Sequence, residues 1–373
     1  MLYPFTEGMH RDSSLYQICR TCVLDTSVFE IIFDSDGVCN FCHSIRRKIG
    51  RSWFPDQSGA NRIRTDLEEI RRHGLSGGKK FDSILGLSGG LDSAVVAKRA
   101  LDAGLRPLAV HVDAGWNTEP SVENVRAVVR EFGLTLETVV IDWEQMRRLQ
   151  LAFLNSGTLN QDIPQDHAFF VSLYSAAIRH KIPVILSGVN YATESVQPQS
   201  WGYSNSDGRH VLAIHSSHGS GRLKGFPIMP YRRFIRLGRK QAFQVVRPLD
   251  YGPYNPEQER RRLESMIGWR AYGGKHSESL FTDWFEAVYL VERYGIDKRR
   301  GHLASQIVSG LRTRDEALAE LAKPKLDGPG RLVLNRSVAE KLGISNAELN
   351  ELIRVPHVSN HKFKTEFKSW VSP

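Results

Sequence analysis

The sequence predicts an α/β fold, a doubly wound parallel sheet with attachments at both ends of the chain. Apolar, strand-like runs alternate with segments of helical spacing between residues 81 and 187. A glycine turn joins the first of these strands to the first helix. Four cysteines in two pairs precede the alternation, and from about residue 251 the pattern is helical. We therefore expect a small cysteine module, a central α/β domain and a helical C-terminal region.

The elements of the sheet follow from the alternation in chain order. Parallel strands joined by helices bind their ligands at the carboxyl ends of the strands. The predicted strands are Phe81–Leu87, Pro107–Val112, Leu136–Ile141 and Pro183–Ser187, and the predicted helices are Ser93–Ala103, Val122–Phe132, Glu144–Leu151 and His167–Arg179.

The flanking regions have different patterns. Residues 62–73 predict a connecting helix, and residues 195–250, rich in Gly, Ser, Pro and aromatic residues, predict insertion loops over the substrate. The chain thus divides into residues 1–50, 51–80, 81–250 and 251–373. The C-terminal helices are predicted at Pro256–Ile267, Ser279–Tyr294, His302–Ser309, Arg314–Leu321 (with a capping box at Thr313 and Glu316), Ser337–Leu342 and Asn346–Ile353.

All four cysteines lie in two CxxC pairs, Cys19 with Cys22 and Cys39 with Cys42, separated by sixteen residues. This spacing is typical of a four-thiolate zinc site, in which each pair presents two sulfurs to one tetrahedral ion. A strand at 29–33 and a turn at 34–37 are predicted between the pairs. A disulfide pair or an iron–sulfur role is the alternative, and His43 is expected to be a bystander. With all four thiols on a metal, none is left to carry persulfide sulfur or to hydrolyse glutamine.

Residues 86–93, Gly-Leu-Ser-Gly-Gly-Leu-Asp-Ser, form the turn between the first strand and the first helix. Gly89 and Gly90 let backbone N–H groups approach an anion, and the positive end of the following helix faces the same point. The hydroxyls of Ser88 and Ser93 add donors. No lysine follows the glycines, so this is not the nucleotide loop that ends in Gly-Lys-Ser/Thr. A tight turn without a ligand is the alternative.

Polar residues follow the other predicted strands as well. Because the carboxyl ends of parallel strands meet at one edge of a sheet, these residues are expected to line one crevice. Taken singly, each is equally explained as a turn or a helix cap. They are Asp113 after the second strand, Asp142 after the third, and Ser187, Gly188 and Asn190 after the fourth.

The formal net charge is +9, from 50 Lys and Arg against 41 Asp and Glu. The basic runs lack interleaved aromatic residues apart from Tyr231 and Phe234, so solvated faces are favoured over a nucleic-acid partner. No apolar stretch reaches membrane-spanning length, and residues 1–14 lack the basic-then-apolar pattern of a leader. We expect a cytoplasmic protein without a membrane partner.

The segment SGGLDS resembles the pyrophosphate loop of the N-type ATP pyrophosphatases, which include NAD, GMP and asparagine synthetases and several tRNA thiolases. The resemblance implies that residues 81–250 form an ATP pyrophosphatase domain, which cleaves ATP between the α and β phosphates, moves AMP onto a substrate oxygen and releases pyrophosphate. It implies ATP and Mg²⁺ as cofactors, beside the Zn²⁺ of the cysteine module.

A wider set of segments between residues of about 18 and 320 resembles the N-acetyl sugar amidotransferases of bacterial surface-polysaccharide synthesis. That resemblance implies conversion of an acetamido group on a nucleotide-linked sugar to an acetamidino group, in lipopolysaccharide and O-antigen synthesis. It also implies a separate glutaminase subunit that supplies ammonia. The segments are CRTCVLDTS, FDSDGVCNFC, LSGGLDSAV, VDAGWN, GWRAYGGKHSES and DKRRGHLASQIVSG.

The resemblance also implies roles for single residues. Asp92 would pair with Mg²⁺-bound water, and Asp113 would face adenosine. Lys275, in the second glycine-rich turn, would neutralise the β or γ phosphate, although a plain surface turn explains it equally well. Asp166 and His167 would orient the acetamido group or ammonia, or merely start a helix. The predicted catalytic residues are Asp92, Ser93, Lys275, Asp166 and His167, and the predicted nucleotide-binding residues are Ser88, Gly89, Gly90, Asp92, Ser93, Asp113, Ser187, Gly188 and Asn190.

Two other functions are consistent with parts of the sequence. A tRNA-modifying ATP pyrophosphatase of the thiolase kind pairs this loop with cysteine knuckles and a basic surface, but needs a sulfur-carrying cysteine or cluster. A non-enzymatic scaffold for a glutaminase is disfavoured by the intact SGGLDS loop.

Overall fold

The computed structural model describes residues 16–241 and 243–367. Its centre is a sheet of five parallel strands in the order β3-β2-β1-β4-β5. The strands are β1 (Ser83–Gly86), β2 (Pro107–Asp113), β3 (Thr135–Val140), β4 (Val184–Leu186) and β5 (Gln244–Val246). The predicted doubly wound parallel sheet is confirmed. The expected absence of a leader concerns residues outside the described ranges.

Helices cover both faces of the sheet and make up most of the C-terminal region. They are α1 (Asn40–Arg46), α2 (Gln57–Ser76), α3 (Leu91–Asp102), α4 (Glu119–Glu131), α5 (Trp143–Ser156), α6 (Ile163–Arg179), α7 (Tyr191–Glu194), α8 (Gly208–His218), α9 (Tyr231–Gln241), α10 (Pro256–Ile267), α11 (Leu280–Trp284), α12 (Leu290–Tyr294), α13 (Arg299–Val308), α14 (Arg314–Leu321), α15 (Gly328–Leu342) and α16 (Asn346–Ile353). None of these helices has the length and apolar character that crossing a membrane requires.

The two faces of the sheet are buried for a simple reason of periodicity. Successive side chains of a strand point to opposite faces. Ile84 of β1 therefore packs with Ala176 and Ala177 of α6 in one core cluster, whereas its neighbour Leu85 belongs to the larger cluster on the other face. Both faces are apolar, as expected of parallel strands covered by helices on each side.

The strand order fixes where a ligand can bind. The chain runs outward from β1 through β2 to β3, then returns to place β4 and β5 on the other side of β1. The crevice at the carboxyl ends of β1 and β4 is therefore the point at which the winding changes direction, the usual ligand site of such sheets. Residues 86–93, here called the glycine loop, lie at this point and join β1 to α3.

Two local predictions are wrong. Residues 195–250 are not only loops, because they contain α8, α9 and β5. The strand predicted at 29–33 is reduced to one antiparallel bridge between Phe33 and Cys39, although the turn after it forms, with the Gly37 N–H donating to the Asp34 carbonyl at 3.0 Å. A short strand in a small metal module depends on its ligands more than on its own pattern.

The C-terminal helices fall close to their predicted positions except α15, which begins at Gly328 and not at Ser337. The capping box is confirmed: Thr313 accepts from the Glu316 N–H, and the Glu316 carboxylate accepts from the Thr313 N–H. The predicted single helix at 279–294 is continuous but contains one π-helical turn at Phe285–Tyr289 between α11 and α12. Such turns occur often at functional sites.

Candidate active site

The glycine loop has a backbone that other residues cannot adopt. Gly89 has φ +87°, and a Cβ at this position would overlap the carbonyl oxygen of Ser121 in α4. The Gly89 carbonyl accepts hydrogen bonds from the Trp269 indole N–H at 3.2 Å and from the Asn124 amide at 3.3 Å. The loop is thus fixed from behind, and its geometry does not depend on a bound ligand.

The two serines of the loop fold back onto it. The Gly90 N–H donates to Ser88 Oγ at 3.1 Å, and Ser93 Oγ donates to the Gly90 carbonyl at 2.9 Å. Gly90 is the N-cap of α3, and no side chain in the described part of the chain caps this N-terminus. Helix N-termini with uncapped N–H groups bind anions. The arrangement can therefore accept a phosphate group.

Asp92 is the centre of a polar network beside the loop. One carboxylate oxygen accepts a hydrogen bond from the Tyr254 hydroxyl. The other accepts from the Asn190 amide at 3.2 Å and from the Lys275 ammonium at 3.0 Å. The structure therefore brings together three residues that the sequence predicted for the site, Asp92, Asn190 and Lys275, from segments about a hundred residues apart.

Lys275 lies between two carboxylates. Its ammonium group is 3.0 Å from Asp92 and 2.9 Å from Glu194, and it also donates to the Thr193 hydroxyl. Burial alone would lower the pKa of Lys275, but the two carboxylates outweigh it and raise the pKa above its usual value. The lysine is thus a fixed positive charge next to the loop.

The segment after β4 reaches the same crevice. A Cβ on Gly188 would lie 3.2 Å from both the Asp92 Cβ and the Ser93 N, so a larger residue would press on the start of α3. The Ser187 hydroxyl accepts from the Val189 N–H at 3.3 Å, and Asn190 is fully buried as the N-cap of α7. Ser187, Gly188 and Asn190 thus lie where the sequence placed them.

Asp113 and His167 form hydrogen bonds with nearby backbone groups. The Asp113 carboxylate accepts from the Gly115 N–H at 2.9 Å, which closes the turn after β2. His167 is fully buried, with Nδ1 2.6 Å from the Asn205 carbonyl and Nε2 accepting from the Met229 N–H at 3.2 Å. Both ring nitrogens of His167 are thereby engaged. The adenosine contact predicted for Asp113 and the acetamido or ammonia contact predicted for His167 stay predictions.

A cavity of about 750 Å³ opens from the loop. It extends from Ser88 and the end of β2 across α6 to a wall formed by residues 196–205. Its far side, here called the charged floor, consists of residues that come mainly from the C-terminal region. The charged floor is Asp162, Asp166, His276, Glu286, Lys298 and His302.

The charged floor is organised around Glu286, in the π-helical turn. Its carboxylate is 2.9 Å from Lys298 and 3.7 Å from Lys325. Burial would raise the pKa of Glu286, but these lysines together with nearby histidines bring it well below its usual value. Burial lowers the pKa of both His276 and His302 to about 4, so both imidazoles are neutral at pH 7.

Asp166 faces the cavity from the first turn of α6. Burial, together with the neighbouring Asp162 carboxylate, raises the pKa of Asp166 to about 8. Burial also raises the pKa of Asp162 to about 6. This carboxyl pair can hold or release a proton near pH 7, unlike an exposed aspartate.

Several residues of the site were missed by sequence reasoning. Tyr254 and Glu278 flank the loop, and burial raises the pKa of Glu278 to about 7. His276 has φ +66°, which is rare for a residue other than glycine and occurs mainly where a fold constrains a functional residue. His276 and Glu278 lie in GWRAYGGKHSES and His302 in DKRRGHLASQIVSG, so these segments carried a signal, but their spacing alone assigned no role.

The four cysteines of the N-terminal module form one buried cluster. All four ligand sulfurs lie within 4.8 Å of one another, with Sγ–Sγ separations of 3.9, 3.7 and 3.6 Å for Cys19–Cys42, Cys22–Cys39 and Cys39–Cys42. A tetrahedral zinc with Zn–S bonds of about 2.3 Å separates its sulfurs by about 3.8 Å. The cysteines are free and fully buried. This donor set fits Zn²⁺.

Two family models match the chain. Residues 68–182 match NAD synthase, and residues 278–372 match the C-terminal domain described as LPS biosynthesis protein WbpG-like. The first match covers β1, the glycine loop, β2 and β3, and indicates an ATP-using enzyme of the ligase type with the ATP pyrophosphatase fold. The second adds Glu278, Glu286, Lys298 and His302. Together the two matches support the placement that the resemblance to N-acetyl sugar amidotransferases implied, within the ATP pyrophosphatase superfamily.

Among solved structures, NMN synthetase from Francisella tularensis aligns with 13% identity over 60% of this chain and 92% of that chain, with a TM-score of 0.30. At that score nothing about function follows. No curated protein matches the chain.

Proposed function

We propose that this protein is an ATP-dependent amidotransferase that converts the acetamido group of a nucleotide-linked sugar to an acetamidino group, in the synthesis of lipopolysaccharide O-antigen sugars. The observation that carries the proposal is the continuity of one cavity. It joins the glycine loop of the ATP pyrophosphatase fold to the charged floor, of which Glu286, Lys298 and His302 lie in the WbpG-like C-terminal domain. The proposed sites for ATP and for a second substrate thus share one cavity.

The reaction needs ATP because an amide oxygen is a poor leaving group. The acetamido oxygen attacks the α phosphate of ATP, a bond forms from oxygen to phosphorus, and pyrophosphate leaves. Ammonia then adds to the carbon of the adenylated imidate and loses a proton. The C–O bond breaks, AMP leaves, and the carbon is left bonded to two nitrogens as an amidine.

The loop side would hold the phosphates. The N–H groups at the start of α3 and the Ser88 and Ser93 hydroxyls would bind pyrophosphate, and Lys275 would exchange Asp92 for a phosphate oxygen. Asp92, an oxygen donor of the kind Mg²⁺ prefers, would hold the ion that accompanies ATP. Bound Mg²⁺ supplies charge neutralisation of the phosphates.

The floor side would handle the acceptor and ammonia. Attack by ammonia releases a proton, and the Asp162–Asp166 carboxyl pair is suited to take it because burial raises both pKa values towards neutral. The neutral imidazoles of His276 and His302 can hydrogen-bond an acetamido group without adding charge.

Ammonia would come from a separate glutaminase subunit. The chain has four cysteines in total, and all four are in the buried cluster. A metal-bound thiolate is not available as the nucleophile that glutamine hydrolysis requires. The same fact disfavours the alternative function of a tRNA thiolase, which needs a sulfur carrier.

The test is pyrophosphate release with ATP, Mg²⁺ and ammonium, with UDP-linked diacetamido sugars in one vessel and unmodified tRNA in another. We expect release that depends on the sugar, and a product in which oxygen is replaced by NH. Release that depends on tRNA alone would replace the proposal with the thiolase class. If pyrophosphate is released with neither the sugar nor tRNA, even in the presence of the glutaminase partner, both the amidotransferase and the thiolase functions are contradicted.

A further inference from the structure

The wall of the cavity opposite the glycine loop is a segment without regular structure over most of its length. Within residues 196–205, Val196, Trp201 and Tyr203 are buried and line the cavity. A one-turn 3₁₀ helix at Gln199–Trp201 is its only helical part. A segment of this kind keeps its shape only through contacts with its neighbours, since it has few hydrogen bonds of its own.

One neighbour is α13. The Val196 N–H donates to Ser305 Oγ at 2.9 Å. Gly301 lies so close that a Cβ there would be 2.8 Å from the Val196 carbonyl oxygen and 3.2 Å from the Trp201 ring. Because α13 also carries His302, the wall and part of the charged floor are held by the same helix.

The other neighbour is the cysteine module, residues 16–50. Glu30, in the stretch between the two cysteine pairs, accepts a hydrogen bond from the Ser200 N–H at 3.1 Å. Ser200 and Trp201 are both buried and Glu30 is half-buried, so this hydrogen bond is partly shielded from water. It is a direct link from the module to the middle of the wall.

The cysteine module also forms hydrogen bonds and an ion pair with residues of α13 and α14. Arg300 donates to the Val23 carbonyl at 2.7 Å and pairs with the buried Asp25 at 3.0 Å. Arg314 donates to the carbonyls of Cys19 and Cys22 at 3.1 and 3.0 Å. The backbone of the first cysteine pair is thus tied to the helices behind the charged floor.

The glycine loop is fixed by other parts of the molecule. Its backbone is held by Asn124 of α4 and by Trp269, as described above. The two halves of the cavity therefore have different supports: α4 and residue 269 on the ATP side, and the cysteine module with α13 on the other.

We propose that Glu30 is a positioning residue for the acceptor substrate, and that the cysteine module serves to hold the acceptor wall in shape through it. The proposal rests on the proposed function in one respect, the assignment of the acceptor to this wall. Glu30 acts through Ser200 and does not touch the substrate. Its removal should loosen the wall and leave the ATP loop unchanged.

The test compares Glu30→Ala with Glu30→Gln in the full-length, metal-loaded protein. Glutamine keeps a side-chain oxygen that can accept the Ser200 N–H, so it should restore the wall. Asp36→Ala is the matched control, because Asp36 is an exposed acidic residue of the same module. The readouts are zinc content, KM for the nucleotide sugar and for ATP separately, and hydrogen exchange of the peptide that contains residues 196–205.

For Glu30→Ala we expect a rise of about tenfold in KM for the sugar, as for loss of one hydrogen bond to a charged group. Hydrogen exchange at residues 196–205 should increase, with KM for ATP and zinc content unchanged. Glu30→Gln and Asp36→Ala should resemble the wild type. Unchanged exchange in Glu30→Ala, or an equal rise in both KM values, would overturn the proposal. If the wild type turns over no nucleotide sugar, the proposed function fails, and the exchange measurement still decides whether Glu30 holds the wall.

Discussion

The two sides of the cavity differ in how the chain builds them. The ATP side is centred on six consecutive residues, Ser88–Ser93, and two supporting contacts fix their backbone. The acceptor side is assembled from α6, residues 196–205 and the C-terminal helices, which meet only in the folded protein. The comparison teaches that a site formed by one local turn can be predicted from the sequence. A site formed by tertiary packing of distant segments cannot.

The largest expected effect is that of Asp92→Ala, which should damage the ATP side and leave the cysteine module intact. The substitution removes the acceptor of three hydrogen bonds and leaves Lys275 paired with Glu194 alone. We expect pyrophosphate release to fall by about 10³-fold, the scale for loss of an electrostatic group at the reacting centre. Zinc content should not change, because the cysteine cluster is remote from α3.

Asp102→Ala is the matched control for this variant. Asp102 is in the last turn of the same helix and pairs with Lys98 on an exposed surface. Its removal should leave turnover within about twofold of the wild type, as for other exposed ion pairs. Loss of metal in Asp92→Ala would mean that the two sides are not independent, and equal damage from Asp102→Ala would mean that the effect is not specific to the network around Asp92.

A second large effect is expected from Cys19→Ser on the other side of the molecule. Loss of one thiolate should release the metal and unfold the module, since structural zinc supplies much of the folding energy of such modules. Metal analysis and a thermal melt measure this. A folded but inactive Cys19→Ser protein would instead indicate that the thiols are catalytic, as in a thiolase.

Gly89→Ala tests whether the ATP side depends on backbone geometry. The new Cβ would overlap the Ser121 carbonyl in a residue with φ +87°. We expect KM for ATP to rise by tenfold or more, which corresponds to about 1–3 kcal/mol of strain. Gly50→Ala is the control, since Gly50 has φ +75° but its Cβ would meet no atom within 4 Å. If both variants lose ATP binding equally, the loss reflects a general effect of strain on the fold and not the contact of residue 89 with α4.

The smallest effect concerns Glu278, beside the loop. Burial raises its pKa from 4.5 to about 7, so the folded state holds this proton more tightly than the unfolded state. Stability from this group is therefore present at low pH and is lost as pH rises from about 4.5 to about 7. Glu278→Gln should gain a few degrees in Tm relative to the wild type between pH 5 and pH 8. A constant Tm difference across that range would contradict the assignment.

The fold was predictable from the sequence because its signal is local. Apolar runs, helical spacing and the capping box at Thr313 each depend on a few neighbouring residues, and these elements formed where expected. By contrast, α8, α9 and β5 lie in a stretch whose Gly, Ser and Pro content suggested loops. The contacts of β5 with β4 are supplied by the sheet, which no local pattern records.

The residues of the candidate site show the same difference between local and tertiary signals. Asp92, Lys275, Asn190 and Gly188 converge as expected, since a motif or a strand end fixed their positions. The hydrogen bonds of His167 with Asn205 and Met229 could not be predicted, because they join residues 38 and 62 positions apart in the sequence. Glu286 was missed because its importance depends on Lys298 and on a π-helical turn.

The most direct test of the account follows the acetamido oxygen itself. A nucleotide-linked N-acetyl sugar carrying heavy oxygen in its acetamido group is incubated with the protein, ATP, Mg²⁺ and ammonium, and the AMP and the sugar are analysed by mass spectrometry. The account predicts that the label appears in AMP and that the sugar product carries NH in its place. Unlabelled AMP together with a sugar that keeps its heavy oxygen would contradict it.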